Sequence, residues 1–263
     1  MIHQMAEATS LNDKIEGGDD FGLTELFALQ DRAFRSNFQR SKWVQGASTI
    51  LARSVRLNLL ILSSMRFAAE KQTTIRRFAV DTLSHIVVAA RLGFWGALAE
   101  SQSVLRGGIE SCAQLFYVVA ERRYHTTMLE SRRRFKQLDF KRVLGKLDEI
   151  GRYLKVRHDR ISSRASHSTV ARFRETEYKI GDDVYDRLGS ALDPLDAEYA
   201  LCDCILPSRL VGYSLECAYS QDGLEFRWEE DIEDVANIHR AFVGELLQER
   251  AGSSGHTRES RDD

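Results

Sequence analysis

The apolar residues Leu98, Leu105, Ile109, Cys112, Phe116 and Val119 follow one another at intervals of three, four and seven. An α-helix brings that spacing onto one face, whereas a strand would scatter it over both. It predicts a helix over about 97–121. A similar period at Leu23, Leu26, Phe27, Phe34 and Phe38 predicts a helix over about 22–40. Ile50, Leu51, Val55, Leu59, Leu62, Met65 and Phe67 predict a second, core-facing one. Only two prolines interrupt 263 residues, where average usage is about 5%, so long helices are favoured over a loop-rich β fold.

The segment TTIRRFAVDTLSHIVVAARLGFWG opens with Thr73 or Thr74 as a candidate N-cap and reaches Gly93 and Gly96, which can end one helix and admit the next. His85, set among apolar neighbours, suits a core or interface role. Gly107 and Gly108 break the strongest stripe at a cost of about 1 kcal/mol each, which points to close approach of another backbone or to a kink. Further on, Phe135, Leu138, Val143, Leu144, Leu147, Ile150, Tyr153 and Leu154 form a buried face among Lys and Arg. After Thr169 the period lapses, and VARFRETEYKIG alternates loosely, as a short strand or an irregular excursion would. Helical spacing returns from Leu195 to about Tyr219, with Pro207 expected to kink or split the helix. The chain turns at SQDG. A final helix has an acidic first turn and the apolar set Ile232, Val235, Ile238, Phe242, Leu246 and Leu247. The expectation is an all-α, irregular multi-helix bundle of about seven helices in a single domain over 21–250, with a small non-helical excursion near 170–190. A flexible leader is expected over 1–20 and a disordered Ser/Gly/charged tail over 251–263.

The N-terminal twenty residues lack the basic start and apolar core of a secretory signal. No apolar run approaches the ~20 residues of a membrane helix, so a cytoplasmic protein is expected. Cys112, Cys202, Cys204 and Cys217 show no disulfide-framework spacing. Cys202, Cys204 and Cys217 could be imagined as zinc ligands, but without a CxxC pair or a nearby histidine they read as packing residues, with no metal. Charge is unevenly spread. Residues 131–174 carry 14 Lys/Arg and 4 Asp/Glu, while residues 175–263 carry 8 and 22. The basic band either attracts phosphates, with Arg132, Arg133, Arg134, Lys136 and Arg157 as nucleic-acid-binding candidates, or pairs with the chain's own acidic C-terminal part.

Phosphate-binding Gly loops, an HExxH zinc pair and a GxSxG nucleophile elbow are all missing from the sequence, and no cofactor is implied. The stretch DRISSRASHS offers another chemistry. As a helix it sets Arg160, Arg164 and His167 at i, i+4 and i+7, on one face over about 10 Å of rise. An imidazole titrating near neutrality can move a proton to or from a ribose 2′-hydroxyl. A guanidinium can hold the scissile phosphate and stabilise its growing charge. RNA cleaved in this way, without a metal, would end in a 2′,3′-cyclic phosphate. The bland use of the same residues is a polar network that fixes helix register and has no substrate.

An arginine, six residues and a histidine near a helix end in an all-helical chain is similar to the motif of the HEPN superfamily. The resemblance implies a helical protein of a bacterial defence or toxin system, often a homodimer and often a metal-independent endoribonuclease, with Arg160 and His167 in the paired catalytic positions. Ile161 stands after Arg160, where active members often carry a polar residue. The text VLRGGIE, with Arg106 and Glu110 as a supporting polar pair at i and i+4, resembles a group of bacterial helical proteins in which such a pair precedes a Ser-and-His segment. Such families also contain inactive members that serve as antitoxins, scaffolds or sensor subunits. RNA, a second copy of the chain and a protein of the same defence or toxin system are therefore the partners implied.

Overall fold

Ser41 Oγ accepts a hydrogen bond from the Val44 amide at 3.2 Å, satisfying one of the open N–H groups at the start of helix α1 (Lys42–Ser63). The computed structural model describes residues 41–95, 97–122, 124, 148–165, 177–180, 183–186 and 194–255, together with the isolated helical positions 28, 31, 32, 35, 38 and 39. The leader over 1–20 lies outside the described residues. So do most of the predicted 22–40 helix, the basic segment 125–147 and the tail from 256.

After α1 come α2 (Ala69–Phe94), α3 (Leu98–Ala120), α4 (Asp148–Ala165), strands β1 (Glu177–Ile180) and β2 (Asp183–Asp186), α5 (Pro194–Gln221) and α6 (Glu229–Gly255). The fold is an all-α multi-helix bundle. The excursion expected near 170–190 contains an antiparallel hairpin in which Glu177 faces Asp186 and Ile180 faces Asp183. Helix α5 is central, packing on α1, α2, α3 and α6, while α3 lies against both α2 and α4. Ile61, Ile86, Leu105, Ile109, Leu115 and Ile205 are fully buried where these helices meet. Each such side chain contributes about 1.5–3 kcal/mol of transfer free energy. Among the described residues no helix is long and apolar enough to cross a membrane.

Several boundaries differ from the sequence expectation. Helix α2 begins at Ala69 rather than at a Thr73 or Thr74 cap, and Thr73 Oγ1 instead donates to the Ala69 carbonyl at 2.8 Å. The run Ala69-Glu70-Lys71-Gln72 consists of strong helix formers with an acid in the first turn, so propensity and dipole carry the helix past the missing cap. Helix α5 runs unsplit through Pro207. Asn58 of α1 donates to the Ser208 carbonyl at 2.7 Å and Cys112 of α3 lies 3.8 Å from the Pro207 carbonyl, so packed neighbours hold the backbone on either side of the ring. Helix α6 extends to Gly255, past the 251 boundary expected from composition. Leu59, assigned to the core by its period, is 52% exposed. The turn at SQDG is as expected, since Gly223 adopts φ 63° and lets the Leu224 amide reach the Tyr219 carbonyl at 3.1 Å.

Burial pushes the Cys112 and Cys202 thiols up to about 12, and that of Cys204 upward as well, so all three are held as thiols and pack as small apolar groups. Helix α6 is tied to the bundle by polar contacts. Arg250 pairs with buried Glu198 of α5 and donates to Tyr199 Oη at 3.1 Å. Arg209 Nη1 donates to His239 Nδ1 at 2.8 Å. Burial, then the Arg209 charge, pulls the His239 pKa down to about 4. A base whose folded pKa lies below its unfolded value takes up its proton first in the unfolded chain. The associated stability is therefore complete above about pH 6.5 and is lost as the pH falls toward 4. With solvent screening of this half-buried site, the loss is about 1 kcal/mol. Urea unfolding at pH 7 and pH 4.5 should show that loss in the wild type and not in His239→Gln, which keeps an acceptor for Arg209 but does not titrate. Equal pH dependence in both would rule the linkage out.

Candidate functional site

Helix α4 turns Leu154, His158 and Ile161 into the protein at i, i+4 and i+7. That stripe leaves Arg152, Lys155, Val156, Asp159 and Arg160 on the outer face, all exposed. Arg160 thus faces outward. Arg164 lies in the last turn of α4, but its side chain is outside the described residues, as is all of His167. The structure therefore describes one member of the Arg160, Arg164 and His167 trio in full. Arg132, Arg133, Arg134 and Lys136 also lie outside the described residues.

The supporting pair does meet. Arg106 Nε donates to Glu110 Oε1 at 3.1 Å along one face of α3. A third group, unforeseen from sequence, joins them: His158 of α4 places Nε2 2.9 Å from the same Glu110 oxygen and 3.2 Å from Arg106 Nε. A carboxylate can only accept, so the imidazole donates through Nε2, and the Arg106 and His158 N–H groups converge on one oxygen. The hydrogen bond from His158 is the main cause that holds the Glu110 carboxyl below its usual range. Burial opposes it and Arg106 adds to it. His158 Nδ1 lies 3.6 Å from Asp159 Oδ1. The imidazole is only 6% exposed, whereas Arg106 and Glu110 are each about one-third open. A sequence signal for His158 existed, because it sits midway between Leu154 and Ile161 on the same stripe.

The next stripe of α3 faces α2. A Cβ at Gly107 would lie 2.7 Å from His85 Nε2. One at Gly108 would lie 3.1 Å from His85 Cβ and 3.6 Å from the Thr82 carbonyl. The glycine pair therefore admits the His85 side chain rather than another backbone, whose nearest atom, the Thr82 carbonyl oxygen, lies only at ordinary contact distance from a Cβ at Gly108. His85 donates through Nδ1 to the Asp81 carbonyl at 2.8 Å, and Ser111 of α3 hydrogen bonds to the Asp81 carboxylate. His85 thus occupies a helix interface.

Arg157, a nucleic-acid-binding candidate, turns toward α5. Its Nη1 pairs with Asp203, and its Nε donates to Tyr153 Oη at 2.9 Å. Burial disfavours the charge, but Asp203 and Tyr153 more than offset it, so the guanidinium is held above its usual value. This is one pair between the basic band and the acidic C-terminal part. The inner side of α4 is therefore joined to α3 by a hydrogen bond and to α5 by an ion pair, with its imidazole nearly closed off from solvent, and the outer side presents Arg160. Among the described residues, no group of three or more His, Cys, Asp or Glu is placed to hold a metal ion. No known protein family, curated protein sequence or solved structure matches the chain.

Proposed function

We propose that this chain is a HEPN-like helical protein of a bacterial defence or toxin system that acts as a non-catalytic binding and assembly module, of the antitoxin, scaffold or sensor kind. The observation that supports this reading is the internal pairing along α4. The buried His158 is engaged by Glu110 beside Arg106, and Arg157 is engaged by Asp203. Groups paired in this way fix the placement of α4 on α3 and α5, and the imidazole among them is nearly closed to solvent, which disfavours approach of a phosphodiester.

A second reading is a metal-independent endoribonuclease using Arg160, His167 and Arg164, working as a homodimer on RNA. It is favoured by the exposure of Arg160 on the outer face of α4, the side from which a phosphate could be met. The two readings separate when the purified wild type and His167→Ala are incubated with total RNA in EDTA and the cleaved ends are analysed. The binding module predicts that both proteins are inert beside an active control nuclease. A 2′,3′-cyclic-phosphate product from the wild type, lost in His167→Ala at unchanged melting temperature, would overturn it in favour of the enzyme.

A further inference from the structure

On the side of the bundle formed by α1 and α2, an open cavity of about 640 Å³ runs between the two helices. Leu51, Val55 and Leu59 line it from α1, Val87 and Phe94 from α2, and Leu201 from α5. Leu59 and Val87 are about half exposed, and Leu60, Val80 and Val88 are further exposed apolar residues of the same two helices. Contiguous exposed apolar patches mark interaction sites. Each wall also carries a cation. Arg56 stands on α1 and Arg91 on α2, the latter stacked on Trp95 at 4.5 Å. Neither belongs to an ion pair among the described residues, in contrast to Arg53, which pairs with Asp234 one turn away. Among the described residues, Asp31 is the one acid on the lining.

We propose that this groove docks an amphipathic helix of a partner protein, with apolar anchors along one face and carboxylates on its flanks. The floor from Leu51 to Leu59 spans about 12 Å, or two helical turns, which matches anchors at i, i+4 and i+7. The two guanidinium groups, one on each wall and without an ion pair among the described residues, select acidic flanks. A second copy of the chain fits less well, because apposing two such grooves would crowd four arginines around the apolar seam. A single lipid chain fits less well, because further exposed apolar residues of the two helices lie outside the cavity lining. The inference is independent of whether α4 cuts RNA.

The test uses the full chain and isothermal titration with a lactam-bridged amphipathic peptide of about four turns, with leucine along one face and glutamate on both flanks. A peptide with lysine in place of glutamate is the comparison. Binding should favour the glutamate peptide, weaken with salt, and fall about tenfold or more in Leu59→Asp and in Val87→Asp. Because both side chains are exposed, these variants should melt like the wild type. The double variant Arg56→Glu/Arg91→Glu should reverse the preference toward the lysine peptide. Absence of binding, equal binding of both peptides, or an unchanged preference in the double variant would overturn the proposal. So would a concentration-dependent dimer that Leu59→Asp dissolves, since that identifies a second copy as the occupant.

Discussion

Gly93→Ala should destabilise the protein by about 2 kcal/mol and lower its melting temperature by about 4–8 °C. Alanine is the better helix former by about 1 kcal/mol, so intrinsic propensity alone predicts a gain. Packing decides the sign. A Cβ at position 93 of α2 would lie 2.2 Å from the Cβ of Ala200 on α5, 3.3 Å from Ser101 Oγ and 3.7 Å from the Ala200 Cα. Ala200 has no rotamer with which to move away, so the helices must separate, and overpacking of that kind costs about 3 kcal/mol. Ser101 donates to the Ala89 carbonyl at 2.7 Å in the same buried corner, and that bond is strained with it. Two controls isolate the cause. Gly244→Ala in α6, where an added Cβ meets nothing within 4 Å, should be neutral or stabilising. Ala200→Gly should recover most of the loss in the Gly93→Ala background. Chemical denaturation that finds Gly93→Ala as stable as Gly244→Ala would show that α2 and α5 do not approach this closely.

The difference between Gly93 and Gly244 also illustrates what a sequence of this kind makes legible. Hydrophobic period identified α3, because its stripe is buried from Leu105 to Val119 and outweighs the interruption at Gly107 and Gly108. The same rule placed Leu59 in the core. Period reports that a residue lies on an apolar face, but not whether another element covers that face, and over Leu59 none of the described residues does. Thr73 misplaced the start of α2 because a cap residue is a local signal, and the four helix-forming residues before it outweigh it. Pro207 predicts a kink or a split, and the helix is not split, since the contacts from α1 and α3 that hold the backbone there come from residues far away in sequence. At the candidate site, the Arg106 and Glu110 pair was legible because it needs only helical spacing. His158 was overlooked in favour of His167, although its place between Leu154 and Ile161 carried the information. The partner of Arg157 could be foreseen only as a general attraction between the basic band and the acidic C-terminal part. Which carboxylate answers depends on how α4 crosses α5.

That crossing can be tested through Arg157 itself. Arg157→Met should cost about 3 kcal/mol, because it removes a cation that pairs with Asp203, whose side chain is only 8% exposed, and a buried carboxylate that loses a charged partner is destabilising. Arg157 is 27% exposed, so water replaces part of the lost interaction, and the lower end of the range for breaking buried pairs applies. The apolar double variant Arg157→Met/Asp203→Leu should recover most of the stability, since neither charge then remains to be desolvated. Acid should narrow the gap between Arg157→Met and the wild type, because protonating Asp203, deprived of the Arg157 charge, relieves its desolvation. Urea denaturation of the three proteins at pH 7 and pH 4 measures both effects. If the double variant were no more stable than Arg157→Met, the pair would not be what holds α4 on α5. The same substitution bears on nucleic-acid binding. A guanidinium that contacts a phosphate contributes about one unit to the slope of log affinity against log salt, whereas one committed to Asp203 contributes nothing. If the chain binds RNA, Arg157→Met should therefore leave that slope unchanged. A decrease of about one would mean that Arg157 exchanges Asp203 for a phosphate when RNA arrives.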